Sequence, residues 1–242
     1  MSAERNAAAV DALDELTRRL RRECPWDREQ DERSIVPHTV EEAYELADAA
    51  ARHDDEKIVD ELGDVLFQVH FLSLLLEERG AADLAAVADH CREKLIRRHP
   101  HVFGEVRADS AGEVLQNWDR IKREQEGRGE LFAEVPENLP ALLYARKLQR
   151  RAASAGIEEA DTADAARNLR EAADELSGLL EQGETAAPSA DPAQRQRVTV
   201  ALGELLFAAV DAARRMRADP ELALRSSAGR FRDLKDSGDQ EP

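Results

Sequence analysis

Five acidic side chains in two short motifs have the types and spacing of a metal site. The motifs are Glu41-Glu42-x-x-Glu45 and Glu61-x-x-Asp64. Residues three apart share one face of a helix, so each motif presents a carboxylate pair. If two antiparallel helices carry the pairs, the carboxylates converge and repel one another unless a cation neutralises them. Ligands that are all oxygen favour Mg²⁺, with Mn²⁺ as a possible substitute, over zinc, which prefers His or Cys.

A purely structural explanation of the same acids stays open. In a chain with 35% charged residues, the first motif is also explained by acids that favour the first turn of a helix, and the second by solvated side chains. Thr39, with Glu42 three residues later, forms a capping-box pattern that predicts a helix start near Val40 and occupies the Glu42 carboxylate. The presence of both motifs across one short connection favours the metal site.

A basic segment offers a second function. The segment from Lys94 to His101 ends a predicted helix in an otherwise acidic chain. Cations near a helix C-terminus complement its dipole, so capping alone could explain Arg97 and Arg98. Alternatively, Lys94 and Arg98, together with Lys122, bind phosphate oxygens that face a metal held by carboxylates.

Helices must position these groups, because the composition and periodicity exclude an all-β fold. The chain is 42% hydrophobic but only 4% aromatic, and no segment alternates like a half-buried strand. We predict an all-α helical bundle with helices over 7–22, 40–51, 56–79, 84–98, 110–126, 141–153, 163–180, 195–217 and 222–234. The helix over 56–79, which Asp55 can cap and Gly80 ends, has the clearest apolar stripe: Ile58, Leu62, Val65, Val69, Leu72 and Leu76.

An internal repeat predicts two related helical units in tandem. Leu62–Phe67 recurs as Leu202–Phe207, and Glu41–Leu46 recurs loosely as Glu171–Leu176. The predicted domains are 1–126 and 141–234, separated by a Gly- and Pro-containing linker over 127–140 and followed by a disordered tail over 235–242.

Charge and cysteine content exclude several classes of function. The formal net charge of −17 argues against general binding to polymeric nucleic acid or to an anionic membrane. Two cysteines, Cys24 and Cys91, cannot build a disulfide framework. The longest uncharged stretch is about 12 residues, too short to span a bilayer, and the N-terminus has no apolar signal core. We therefore expect a soluble cytoplasmic protein.

The motifs in their order and spacing resemble the MazG nucleoside triphosphate pyrophosphohydrolases. The resemblance is close from about Leu16 to Lys122, continues through Leu139–Leu142 and Lys147–Arg150, and then weakens, and several elements carry it together. These are Cys24-Pro25-Trp26-Asp27-Arg28-Glu29-Gln30, both acidic motifs, Arg97-Arg98-His99-Pro100-His101-Val102-Phe103 and Trp118-x-x-x-Lys122. The resemblance implies an all-α enzyme, dimeric or of higher order, that uses Mg²⁺ to cleave a nucleoside triphosphate between the α and β phosphates. It also implies a role in clearing aberrant nucleotides.

The resemblance implies a role for each matching residue. Glu41 and Glu42 are the candidate catalytic residues, with Glu41 orienting or deprotonating the attacking water. The metal ligands implied are Glu42, Glu45, Glu61 and Asp64. The residues implied to bind the phosphates are Lys94, Arg98 and Lys122, with Arg97 beside them. Trp118 is implied to stack near the nucleotide, and Trp26 to help form the base pocket.

The second half departs from the family pattern. The positions that correspond to the five acids are Glu171, Ala172, Glu175, Ala201 and Glu204. Because two carboxylates are replaced by alanine, we expect the active site in the first half and a degenerate copy, kept for packing or dimerisation, in the second.

Two rival functions remain. A di-iron carboxylate bundle requires Glu-x-x-His, which none of the six histidines provides. A non-catalytic helical module that binds nucleotides or regulates a partner is plausible for the second half and less so for the first.

Overall fold

The protein is helical throughout the part of the chain that the structure describes. The computed structural model describes residues 2–110, 112–114, 117–118, 120–121, 131–132, 135–157, 161–183 and 192–238. The helices within these ranges are α1 (Ala3–Glu23), α2 (Pro25–Glu29), α3 (Glu32–Arg52), α4 (Asp55–Glu78), α5 (Leu84–Arg98), α6 (Pro100–Phe103), α7 (Ala141–Ser154), α8 (Thr162–Gly183), α9 (Pro192–Arg215) and α10 (Pro220–Gly238). No strand occurs in them. The all-α prediction is confirmed.

Two compact units make up the chain, Met1–Arg107 and Ala108–Pro242. The short described stretches between 112 and 121 are helical and group with the second unit. Residues 122–130, which include Lys122 and the start of the predicted linker, lie outside the described residues, so the domain boundary at 126 stays a prediction. Within the described ranges, none of the helices has the length and apolar character needed to cross a membrane.

A helical hairpin of α3 and α4 forms the centre of the first unit. Only His53 and Asp54 connect the two helices. His53 adopts the left-handed conformation with φ of 56°, which ends α3, and the Asp54 side chain accepts a hydrogen bond from the Lys57 amide and starts α4. The chain therefore reverses within two residues, and the two acidic motifs lie on neighbouring antiparallel helices.

The start of α3 differs from the sequence prediction. The Asp31 side chain caps the helix by accepting hydrogen bonds from the amides of Arg33 and Ser34, and the Asp31 amide donates a hydrogen bond to the Ser34 hydroxyl. Thr39 lies within the helix, where its hydroxyl donates to the Ile35 carbonyl over 3.4 Å. The predicted capping box at Thr39 is therefore wrong, because Asp31 supplies a complete cap about two turns earlier. The Glu42 carboxylate is free of any capping role.

The core of the first unit coincides only in part with the stripe predicted on α4. Ile35 of α3 packs with Phe71 and Leu75 of α4, and Phe67 and Leu72 pack against them. Of the predicted stripe, Leu62 and Val69 are exposed, and so is the adjacent Leu66. The prediction was wrong for Leu62 and Val69, because α4 is apolar on two faces and the hydrophobic period does not indicate which of them packs inside the chain.

Two arginines hold α1 against the C-terminal end of α4. Arg18 donates to both carboxylate oxygens of Glu77, at 3.0 and 2.6 Å, and Arg21 does the same to Glu78, at 2.9 and 2.8 Å. Arg21 also donates to the main-chain carbonyls of Asp27 and Gln30. Bidentate pairs of this kind fix orientation as well as distance. Arg21 thereby links α1, α2 and α4.

The second unit is organised around α8 and α9. These helices pack along each other, while α7 packs on α9 and α10. Ala201 and Val210 of α9, Ala165 of α8 and Gln149 of α7 are its buried side chains at these contacts. Helix α10 extends to Gly238, so it includes the first residues of the tail that the sequence predicts to be disordered.

The core assignment predicts the effect of removing a ring. Phe71 is fully buried, so Phe71→Ala should lower the free energy of unfolding by about 3–5 kcal/mol, the usual cost of an aromatic-sized cavity. Val10→Ala, at an exposed position of α1, should change it by less than about 0.5 kcal/mol. Denaturant unfolding of both variants measures the difference. Similar losses in the two variants would contradict the assignment of the core.

Candidate metal centre

Helices α3 and α4 bring three glutamates together at the middle of the hairpin. One carboxylate oxygen from each of Glu42, Glu45 and Glu61 lies within 4.8 Å of the others. Glu61 is only 2% exposed, Glu42 is half-buried and Glu45 is exposed. The cluster therefore has one ligand-type side chain in the interior and one facing solvent, which leaves an open side.

The charges in this cluster act on one another. The pKa of Glu42 is raised above its ordinary value, first by burial and then by the negative charges of Asp64, Glu45 and Glu61. Asp64 is exposed, yet it lies near enough to contribute to this shift. Like charges held at such distances destabilise one another unless a cation lies between them. Hard, all-oxygen donors of this kind fit Mg²⁺ or Mn²⁺.

Lys57 is a site residue that the sequence analysis missed. Its ammonium lies 2.8 Å from Oε1 of the buried Glu61 and 3.1 Å from Oδ2 of Asp60. The hydrogen bond to Glu61 is the main reason why the pKa of Lys57 is raised. The available signal was the spacing, because a lysine four residues before a glutamate shares its helix face. The ammonium therefore supplies part of the positive charge that the carboxylates require.

A cavity of about 400 Å³ opens beside the carboxylates. Glu45, Lys57 and Glu61 line one part of it, and Tyr44 and Arg52 line another. Its size falls within the roughly 300–1,000 Å³ of small-molecule sites. The cavity carries both signs of charge next to the acidic cluster, as a site for a metal and an anionic ligand requires.

Glu41 and Trp26 lie on the hairpin's outer side. Glu41 is exposed, and one of its oxygens lies 3.2 Å from Nδ1 of His38. The ring of Trp26 meets the His38 ring edge-on, with centroids 5.9 Å apart, and Trp26 is 51% exposed. Neither side chain belongs to the three-glutamate cluster. Trp26 meets His38, which lies one helical turn before the acidic motif on α3. Its exposed ring offers a flat surface on which a base can stack.

The basic residues of α5 differ in their burial. Helix α5 packs on α4. On α5, Arg98 is buried, Lys94 is half-buried and Arg97 is exposed. Trp118 is half-buried and groups with the second unit, and Lys122 lies outside the described residues. The substrate-binding roles expected for these residues stay predictions.

In the second unit the corresponding helix pair has lost the central carboxylate. Ala201 occupies the position of Glu61 in the repeat, and both residues are 2% exposed. Ala172 stands at the position of Glu42, while Glu175 and Glu204 are exposed. Among the described residues, the group of acids close enough together to hold an ion is that of Glu42, Glu45 and Glu61.

Comparison with known proteins places the chain in a family. Residues 30–103, which contain α3, α4 and α5, match the MazG nucleotide pyrophosphohydrolase domain. The chain is 36% identical over 228 residues to the nucleoside triphosphate pyrophosphohydrolase of Escherichia coli K12, covering 92% of this chain and 84% of the relative. It is 37% identical over 210 residues to the nucleoside triphosphate pyrophosphohydrolase/pyrophosphatase MazG of Thermotoga maritima, covering 86% and 76%.

A mycobacterial relative is similar over a shorter region. The nucleoside triphosphate pyrophosphohydrolase of Mycobacterium tuberculosis is 33% identical over 158 residues, which is 64% of this chain and 48% of the relative. The domain match contains the hairpin that carries the three glutamates, and the longer matches extend through both units. The chain is a hydrolase and belongs to the MazG family of nucleotide pyrophosphohydrolases.

Proposed function

We propose that this chain hydrolyses nucleoside triphosphates between the α and β phosphates, with Mg²⁺ bound at the α3–α4 hairpin. The products are a nucleoside monophosphate and pyrophosphate. The observation that carries the proposal is the cluster of Glu42, Glu45 and Glu61, whose oxygens lie within 4.8 Å of one another, inside the region that matches the family domain. We further propose that the enzyme acts in the cytoplasm and clears aberrant nucleotides there.

The proposed mechanism assigns each group a separate task. Glu42, Glu45, Glu61 and Asp64 would hold a divalent ion, which would supply Lewis-acid polarisation of the phosphates. Glu41, which is exposed beside His38, orients the attacking water and accepts its proton. The water oxygen forms a bond to a phosphorus atom, and the bridging bond between the α and β phosphates breaks. No covalent intermediate with the protein is required.

Substrate contacts come from the residues around the hairpin. Lys94 and Arg98 bind the phosphate oxygens and stabilise the charge that develops on the leaving pyrophosphate, with Arg97 beside them. Trp26 contacts the base through its exposed ring. The contributions of Trp118 and Lys122 rest on the family resemblance alone.

A non-catalytic nucleotide-binding module is the alternative. It shares the cavity and the charges but lacks turnover. Release of pyrophosphate from mixed nucleoside triphosphates, measured with and without Mg²⁺, separates the two. Binding of nucleotide without release would favour the module.

The placement of the active site is tested by comparing the two units. Glu42→Ala and Asp64→Ala should each lower kcat/KM about 100-fold or more, because changes beyond the first ligand shell already cost roughly 10–100-fold. Glu175→Ala in the second unit should leave kcat/KM within about twofold. Steady-state release of pyrophosphate gives the rates, and Mn²⁺ titration gives the metal affinity. Retained hydrolysis in the first two variants with loss in the third would move the site to the second unit.

The Lys57 contact predicts a competition between the ammonium and the metal. Lys57 neutralises Glu61 while no ion is bound, and an ion at the cluster must replace this contact, after which Asp60 can still hold the lysine. Lys57→Met should therefore bind Mn²⁺ several-fold more tightly, since no ammonium has to be displaced. Without metal, the same variant should melt at a lower temperature than the parent, and Mn²⁺ should remove this difference in melting temperature.

Arg52→Gln is the matched control for Lys57. Arg52 lines the same cavity but pairs with Asp48 over 3.0 Å. The substitution Arg52→Gln therefore removes one positive charge from the cavity without changing a contact of the three glutamates. Isothermal titration and electron paramagnetic resonance of Mn²⁺ measure the affinities. Equal changes in both variants would reduce the role of Lys57 to a general charge effect and contradict direct competition.

The second apolar face of α4 supports a homodimer or a higher homo-oligomer. Val59, Leu62, Leu66 and Val69 recur at spacings of three and four and are all exposed. Such a continuous apolar stripe is typical of an interface between protein chains. Because these residues belong to the helix that holds Glu61, self-association would rigidify the metal-binding hairpin.

A single charge on this stripe should prevent assembly. The parent protein should have at least twice the chain mass of 26.9 kDa by light scattering, and Leu66→Glu should reduce it to one chain mass because a buried unpaired carboxylate is costly. Leu224→Glu, at an exposed position of α10, serves as the control and should leave the mass unchanged. A parent protein with the mass of one chain would contradict the proposed interface.

A further inference from the structure

The second unit contains a cavity of its own. It measures about 340 Å³ and lies among α7, α8 and α9. Gln149, Ala165, Asn168, Phe207, Asp211 and Arg215 are among its lining residues. Its size falls within the range of small-molecule sites. The cavity is not part of the metal centre, which belongs to the first unit.

The internal repeat shows how this cavity arises. The repeat aligns α8 and α9 with α3 and α4, and two pairs of equivalent positions on α4 and α9 agree in burial. Ala201 and Glu61 are equally buried, as are Val210 and His70. The two helix pairs therefore share one register, and the side chains at equivalent positions can be compared directly.

In this register, the core positions of the first unit carry different residues in the second unit. Ile35 of the core corresponds to Ala165. The ring of Phe71 and the side chain of Leu75 correspond to Asp211 and Arg215. The second unit therefore has a shorter side chain and two charged side chains where the first has three apolar ones. These positions belong to a hydrophobic core in the first unit and to the lining of a cavity with polar walls in the second.

Gln149 provides an unsatisfied acceptor at this cavity. Its side chain is 1% exposed and its Nε2 donates to the Phe207 carbonyl over 2.8 Å. Its Oε1 has no hydrogen-bond partner among the described residues. Buried polar atoms are rarely left unpaired. The orphan oxygen therefore indicates a ligand that brings an N–H or O–H donor.

The charges around the cavity exclude phosphates and favour donors. Asp211 pairs with Arg215, Nε to Oδ2 over 2.7 Å, and with Arg214. Glu204 adds a second carboxylate to the lining. With two carboxylates against one lining guanidinium that is already engaged by Asp211, a polyphosphate meets repulsion. The acceptors of Gln149 and Glu204 instead suit exocyclic amino or ring N–H groups.

The apolar part of the lining fits a flat ring. Phe207 is 45% exposed although it lines the cavity, so its ring is available for contact. Ala165, Ala172 and Ala208 have small side chains on the other walls and leave room for a planar group. Aromatic rings of this kind stack on the faces of nucleobases.

We propose that the cavity among α7, α8 and α9 binds an uncharged, amino-bearing nucleobase or nucleoside, with Phe207 against the ring and Gln149 and Glu204 accepting from its N–H groups. The site takes the base without the triphosphate. It is distinct in ligand class and in position from the metal centre of the first unit.

The test uses adenosine, cytidine and guanosine as probes on the full chain, with ATP in the absence of metal as the contrast. Nuclear magnetic resonance titration should show saturable shifts at residues of α7, α8 and α9 for at least one nucleoside, and at least tenfold weaker binding of ATP at these residues. Absence of saturable shifts there for all three nucleosides would overturn the proposal. Equal or tighter binding of ATP would overturn the ligand class.

Two variants address the cavity itself. Ala165→Ile restores the side chain that the first unit uses and should weaken nucleoside binding at least tenfold by filling the space. Gln149→Met removes the acceptor at similar volume and should also weaken it, which keeps the test decisive if Ala165→Ile fails to fold. Ala228→Ile, at an exposed position of α10, is the matched control and should bind as the parent does. Unchanged binding in Gln149→Met and in a folded Ala165→Ile would contradict the site.

Discussion

The mutual repulsion of carboxylates between α3 and α4 is the constraint on which the first unit depends. Glu61 lies in the interior, and the pKa of Glu42 is raised by burial and by its acidic neighbours. The turn at His53 and Asp54 and the packing of the hairpin around Phe71 and Leu75 keep these groups together. The positive charge of Lys57 lowers the electrostatic cost without filling the open side of the cluster. The hairpin thus has the fixed arrangement of carboxylates that the proposed divalent ion requires.

The supports of this hairpin are electrostatic at one end and apolar along the middle. Arg18 and Arg21 hold the C-terminal end of α4 against α1, and Arg21 also orders the short α2 through two main-chain carbonyls. Helix α2 carries Trp26. A chain of fixed contacts therefore connects the end of α4 with an exposed aromatic ring beside the acidic motif. Helices position a site more accurately than loops do, so the contacts of α1 and α2 with α4 help to fix the position of the acidic side chains.

The motif spacing sufficed to predict the helix class and to put Glu42 and Glu45 on one face of α3, because three-residue spacing fixes a helix face whatever surrounds it. It did not predict that Glu61 joins them while Asp64 lies exposed outside the three-glutamate cluster. It failed where two local signals compete. Thr39 and Asp31 both resemble caps, and the chain uses Asp31, whose side chain satisfies two amides. The period of α4 could not tell the face with Leu62 from the face with Phe71, since both are apolar. Lys57 was missed because its role depends on the burial of Glu61, which is a tertiary property.

The two units differ in the side chains that they bury between their corresponding helix pairs. In the first unit Glu61 is buried beside Lys57, and the apolar core of Ile35, Phe71 and Leu75 lies further along the helix pair. The second has Ala201 in place of that glutamate, which removes the need for a cation. Further along the same helix, Asp211 pairs with Arg214 and Arg215 at the positions that correspond to Phe71, Leu74 and Leu75, which are buried in the first unit. Ala201 and Asp211 are ten residues apart, about 15 Å along a helix, so each difference acts on its own part of the helix pair. The first removes a buried carboxylate, and the second exchanges apolar packing for charges that can be enclosed because they are paired.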